Sequence, residues 1–111
     1  MTGQPTDVVA VIMTAPDAET AEKIVRTLVS ERLAACANVV PGTVSTYWWD
    51  GELQRDEEVM VILKTVQQRV RALEARAVEL HPYTVPEILV VPVSGGHAPY
   101  LAWVGKEVGV S

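Results

Sequence analysis

At 111 residues the chain has room for one domain of the usual ~100–150 residues and none for a second core. A hydrophobic content of 49% against 21% charged residues excludes a disordered polymer. The net charge of −5, from 14 acidic and 9 basic side chains, would repel phosphate backbones and argues against nucleic acid as a partner.

No apolar run approaches the ~20 residues that a membrane-spanning helix needs, and Met1 to Asp7 lacks the basic-then-apolar pattern of a leader. Cys36 is the only cysteine, so no internal disulfide can form. The expectation is a cytoplasmic protein with a flexible N-terminus over 1–6 and a single domain over 7–111.

Asp7 to Thr14 is a continuous apolar run of strand length, as in a strand buried on both faces. After Pro16-Asp17, the residues Ala21, Ile24, Val25, Leu28 and Val29 recur at helical spacing, predicting a first helix from about Asp17 to Leu33. Cys36 to Trp49 is rich in β-formers and is interrupted by Pro41-Gly42, which suggests a bulge. Asp50-Gly51 is a type I′ hairpin signal, so a third strand returns antiparallel from Glu52 to Lys64.

Thr65 with Gln68 three residues on forms a capping-box pattern, and Val66, Val70, Leu73, Ala77 and Leu80 make a narrow stripe, predicting a second helix that ends before His81-Pro82. Pro86 to Val93 is the fourth strand, and Pro99 starts a short last helix with Tyr100, Leu101, Trp103 and Val104.

The order β-α-β-β-α-β predicts an α+β, ferredoxin-like antiparallel sheet with helices on one face, a long hairpin between the second and third strands, and a short C-terminal helix. Strands one and three fall in the centre. The prolines agree, since Pro41, Pro86 and Pro92 lie only in the predicted edge strands, where a missing donor costs least. A sheet covered on one face should alternate apolar and polar residues, yet three strands here are apolar on both faces. Self-association is the simplest cover, with the last helix plus loops as the alternative. Tyr47, Trp48 and Trp49, at the tip of an overlong hairpin, read as interface anchors, or as aromatics folded back on the first helix.

Five stretches carry a resemblance: Glu31 to Asn38; Tyr47-Trp48-Trp49 with Gly51-Glu52; Glu58 through Thr65; His81-Pro82-Tyr83 with Pro86-Glu87; and Pro99 to Val104. In that order, from about Val9 to Val104, they closely resemble the CutA divalent-cation tolerance family. The resemblance implies a homotrimer with hairpins extending between subunits, a link to copper and other divalent cations, and an architectural likeness to PII-type signalling proteins that bind small ligands between subunits.

The candidate metal ligands are Cys36, His81 and Glu87, suited to weakly bound Cu or Zn, although no spacing motif of a high-affinity site occurs. Cys36 also reads as a buried small hydrophobe, His81 as a cap on the second helix, and His97 as solvated. Lys64, Glu87, Trp49, Tyr83, Tyr100 and Trp103 form a candidate ligand cleft between subunits, while Lys64 and Glu87 could equally pair to close a contact. No nucleophile elbow, phosphate loop or catalytic acid pair is present, so the reading is non-enzymatic. The functional expectation is a trimeric divalent-cation-binding protein. A PII-like ligand sensor or a trimer that scaffolds another protein are the alternatives.

Overall fold

The apolar run of the first strand becomes β1 (Val8–Ala15), at the centre of a four-stranded antiparallel sheet, in a computed structural model that describes residues 6–110. The flexible segment expected over 1–6 lies almost wholly outside the described residues. The chain continues through α1 (Ala18–Ser30), β2 (Cys36–Trp49), β3 (Glu52–Val66), a single 3-10 turn over Gln67–Arg69, α2 (Val70–Leu80), β4 (Ile88–Pro92) and α3 (Ala98–Glu107). The strand order β2-β3-β1-β4 puts the strands with internal prolines at the two edges.

One face of the sheet carries the core. Val9, Val11, Met13 and Ala15 of β1 and Val59, Val61 and Leu63 of β3 alternate toward α1 and α2, and they are buried with Ala21, Ile24, Leu28, Leu73 and Ala77. Each fully buried branched side chain there contributes roughly 1.5–3 kcal/mol.

Two predicted boundaries move for physical reasons. The first helix stops at Ser30, not Leu33, because Arg32 takes a left-handed φ of 62°. Leu33 N–H then donates to Leu28 O at 3.0 Å and Arg32 N–H to Val29 O at 3.0 Å, the paired bonds of a Schellman turn. Leu33 still packs on the core, which is why its spacing extended the helical pattern. A glycine is usual at such a position; here the Arg32 side chain is tied down by Glu107, with Nη1 at 2.9 Å from both the backbone O and Oε1.

The capping box at Thr65 does not form. Thr65 is a fully buried strand residue whose hydroxyl donates to Leu33 O at 2.7 Å, and Val66 belongs to β3. The helical turn begins only at Gln67. The fourth strand is shorter than expected, Ile88–Pro92.

The hairpin matches its sequence signals. Asp50 and Gly51 take positive φ of 51° and 76°, and β2 slips register between Val40 and Thr43. Val40 faces Met60 while Thr43 faces Glu58, so β2 spends three residues where β3 spends two. This is a bulge, and it exchanges the faces of every later β2 side chain. Trp48 and Trp49 remain 72% and 57% exposed, so the tip does not fold back onto α1. The arm stretches the chain to 49 Å along one axis against 25 and 23 Å along the others.

Candidate functional site

The second face of the sheet is built from rows that strand register aligns. Cys36, Lys64, Ala10 and Val91 form one row across all four strands; Asn38, Ile62, Ile12 and Leu89 form the next; Val40, Met60 and Thr14 follow. At one end α3 covers this face, burying Val104 and Val108 against Val8 and Val66. Over the Ile62–Ile12–Leu89 row and the next none of the described elements lies on top, and Leu89 is 55% exposed.

The predicted site residues divide between the two ends of this face. At the α3 end, Cys36 Sγ lies 3.3 Å from Tyr100 Oη, and the Tyr100 and Trp103 rings are stacked obliquely with centroids 5.6 Å apart. The hydrogen bond to Cys36 and burial push the Tyr100 phenol up to about 12. Lys64, the register neighbour of Cys36, donates to Asn38 Oδ1.

The other group begins with Thr14 four residues along β1 from Ala10, about 13 Å at ~3.3 Å per residue, and continues on β3 to Glu58, two residues beyond Thr14's partner Met60. It surrounds an open cleft of ≈ 690 Å³ lined by Thr14, Tyr47, Trp49, Glu58, Tyr83 and Glu87 among others. Here the bulge matters. After it, Thr43, Ser45, Tyr47 and Trp49 share the face of Asp56 and Glu58, whereas Val44, Thr46 and Trp48 face the other way with Leu53, Arg55 and Glu57. Without the extra residue Tyr47 and Trp49 would point away from the cleft.

Glu58 is 8% exposed and accepts a 2.8 Å hydrogen bond from the Tyr83 hydroxyl at Oε2. Tyr83 is held well above the ordinary phenol range, first by burial and then by Glu58. Tyr47, hydrogen-bonded to Asp56, is also raised, chiefly by that bond. Both phenols therefore act as donors to carboxylates at neutral pH.

His81 sits behind this cleft, 7% exposed. Its Nε2 lies 2.7 Å from the Thr14 carbonyl and must donate; its Nδ1 accepts from Tyr83 N–H at 3.1 Å. Both ring nitrogens are thus engaged by backbone, and the helix-end carbonyl of Ala77 is met by the His81 backbone N–H and not by its ring. The Pro82 turn fixes Tyr83 relative to His81, with ring centroids 4.7 Å apart.

A single chain consequently does not assemble the candidate sets as the sequence grouped them. Trp49, Tyr83 and Glu87 line the cleft; Lys64, Tyr100 and Trp103 gather with Cys36 at the far end. Lys64 and Glu87 form no ion pair, and no three or more His, Cys, Asp or Glu residues among those described stand close enough to hold a metal ion. Glu58 and Thr14 were not singled out from sequence as site residues. The available signal was an acidic residue directly preceding Val59–Leu63, in phase with Met60 and Ile62 on the uncovered face.

Comparison with known proteins agrees with this architecture. The family model described as the CutA1 divalent ion tolerance protein matches residues 9–107. The divalent-cation tolerance protein CutA of Thermus thermophilus is 44% identical over 99 residues, covering 89% of this chain and 96% of that protein. Its Escherichia coli counterpart is 43% identical over 100 residues, covering 90% of this chain and 89% of that one. The crystal structure of CutA from Xylella fastidiosa superimposes with a TM-score of 0.91 at 44% identity, over 93% of this chain and 99% of the other. With its strand order, its long hairpin and this near full-length match, the chain belongs to the CutA1 divalent ion tolerance family.

Proposed function

We propose that the protein is a homotrimer that takes part in tolerance of copper and other divalent cations by binding them, without catalysing a reaction. The observation that carries the trimer is the uncovered row Ile62, Ile12 and Leu89, an apolar band that α3 leaves open and that a second copy would bury. The long hairpin supports it. Trp48 with Val44 and Leu53 forms an exposed apolar side, and Tyr47 and Trp49 edge the opposite side, so all three aromatics serve as anchors between copies.

Since the described residues of one chain contain no three-ligand cluster, metal contact through Cys36, His81 and Glu87 draws on donors from more than one copy and is weak. His81 must give up a backbone hydrogen bond to take part. Light scattering at micromolar concentration tests the assembly, for which a 12 kDa particle would refute the trimer. Calorimetric titration of Cu²⁺ into wild type and a Cys36→Ser/His81→Ala variant tests the ligands; superimposable isotherms would remove them.

A cytoplasmic location is part of the proposal. No described helix is long and apolar enough to cross a membrane, while a CutA structure from Archaeoglobus fulgidus is described as periplasmic, so cell fractionation is the relevant check.

A second reading, a PII-like small-ligand sensor, is favoured by the ≈ 690 Å³ cleft, which lies in the size range of small-molecule sites. Its aromatic and carboxylate lining is the relevant observation.

A further inference from the structure

We propose that α3 is a latched strap: it opens from the sheet as its own unit, leaving the sheet and the helix layer folded, and two arginines at its C-terminal end hold it shut. This goes beyond the proposed function and needs neither a bound ion nor a second copy.

The packing separates α3 from the rest. Val104 and Val108 are buried with Val8 and Val66, and none of the residues of this cluster belongs to the core between the sheet and α1 and α2. A helix held by four valines on its own side of a sheet has far fewer apolar contacts to break than the main core, and such elements open below the free energy of global unfolding. A hinge is present as well. Val93 N–H still donates to Val8 O, but Ser94 to His97 run outside any helix or strand, and a Cβ at Gly95 would meet nothing within 4 Å. His97, at the N-cap, supplies no side-chain bond to the first turn.

At the other end the ties are concentrated. Gly109 takes a φ of 78°, Val110 N–H donates to Gly105 O at 2.7 Å and Gly109 N–H to Lys106 O at 3.1 Å, so α3 ends in a Schellman turn. The two carbonyls that this motif leaves open are met by arginines: Arg32 Nη1 donates to Glu107 O at 2.9 Å, and Arg69 Nε to Val108 O at 2.8 Å. Both are cations at the negative end of a helix, where charge and hydrogen bond reinforce each other. Arg32 reaches there from a left-handed φ of 62°, which glycine adopts without the steric cost an arginine bears. Its neighbour Glu31 is already paired with Arg76 at 3.0 Å, which leaves Arg32 to Glu107.

The latch is weak enough to release. The Arg32 and Glu107 side chains are 65% and 32% exposed, and an ion pair so open to water is weak and screened by salt. With α3 away, Val8 and Val66 join the uncovered rows of the second face, so ionic strength sets how much of that face stands open.

Hydrogen exchange of the full chain in its native assembly, read at the amides of 102–108 and at Val11 and Val61 in the strand centres, is the test. Wild-type α3 should be at least tenfold less protected than the strand centres, independently of protein concentration, and should exchange at least threefold faster at ~1 M than at ~0.1 M NaCl. Arg69→Ala should speed exchange in α3 at least tenfold and Arg32→Gly at least threefold, with the strand centres unchanged. Arg32→Gly gives the sharper signature, because it relieves the left-handed turn while cutting the latch: the melting temperature should hold or rise as α3 loosens. Arg32→Asn, which also tolerates that conformation, replaces it if the glycine variant does not fold. Protection in α3 as high as in the strand centres makes one cooperative unit of the chain and overturns the inference. Exchange in α3 that slows as protein concentration rises ties the opening to separation of copies and overturns it too. Indifference of α3 exchange to both arginine variants and to salt refutes the latch.

Discussion

The two faces of the sheet are made from the same strands and differ in what their residues are for. On the helix side Val11, Met13, Val61 and Leu63 lose all contact with water inside the chain. On the other side Ile12, Ile62 and Leu89, equally apolar, have only the flank of α3 nearby and stay partly exposed. The first face explains why a single chain folds. The second contributes little to the folding of a lone chain, because apolar surface that stays in water gains no burial energy.

Predictions that truncate one face or the other sharpen this contrast. The largest effect belongs to the helix side: Leu73→Ala should cost about 2–5 kcal/mol in urea unfolding, because Leu73 is fully buried and the helix cannot close the void. Thr65→Val comes next. It preserves shape but strips Leu33 O of its buried donor, for an expected loss of roughly 1–3 kcal/mol in the same measurement.

Leu89→Ser probes the other face. Were the face simply wet, the change would stay within about 0.5 kcal/mol at every protein concentration. Covered by a second copy, it should cost about 1 kcal/mol or more, with a melting midpoint that rises with concentration. A concentration-independent midpoint in both wild type and variant would break the contrast, leaving a face that is apolar for no structural reason.

The smallest effect is silent at neutral pH. All three tyrosines, Tyr47, Tyr83 and Tyr100, have raised phenol ionisation, caused respectively by Asp56, by burial beside Glu58, and by the bond to Cys36. Unfolded tyrosine ionises near ~10, so the stabilisation is complete below that value and declines as pH rises through it. Tyr100 follows at about 12. Absorbance titration near 295 nm should show little tyrosinate in the native protein at pH 10 and a full signal in urea. Native ionisation at the unfolded midpoint would show that these hydroxyls are free.

Much of the fold was legible because its signals are local. Element order and proline placement located β1 and β3 in the centre, and Asp50-Gly51 with Pro41-Gly42 marked the turn and the bulge. What failed was also local. Thr65-Gln68 has the letters of a cap, but tertiary burial claimed the hydroxyl first, and Leu33 keeps helical spacing while standing one turn past the helix end.

The site was harder to read, because its residues are brought together by register. Element order made one cleft of Lys64, Glu87 and Tyr100, which the sheet sets apart: Lys64 shares a row with Val91, four residues along the chain from Glu87. Glu58 stands in a stretch that carries the resemblance but does not read as a site residue, because its burial and hydrogen bond involve Tyr83, 25 positions away. The parity exchange at Val40–Thr43 could have been anticipated from Pro41-Gly42, but its consequence for Tyr47 and Trp49 needed the pairing partners.

The slip between Val40 and Thr43 makes the arm a phase-sensitive device: chain length upstream dictates orientation downstream. Deleting a single residue there would leave composition and hydrogen-bonded ladder nearly intact while turning the hairpin inside out, sending Trp48 inward and Trp49 outward. Variation in this family can therefore re-aim the whole arm by changing the count of residues at one point, with no aromatic substituted at all.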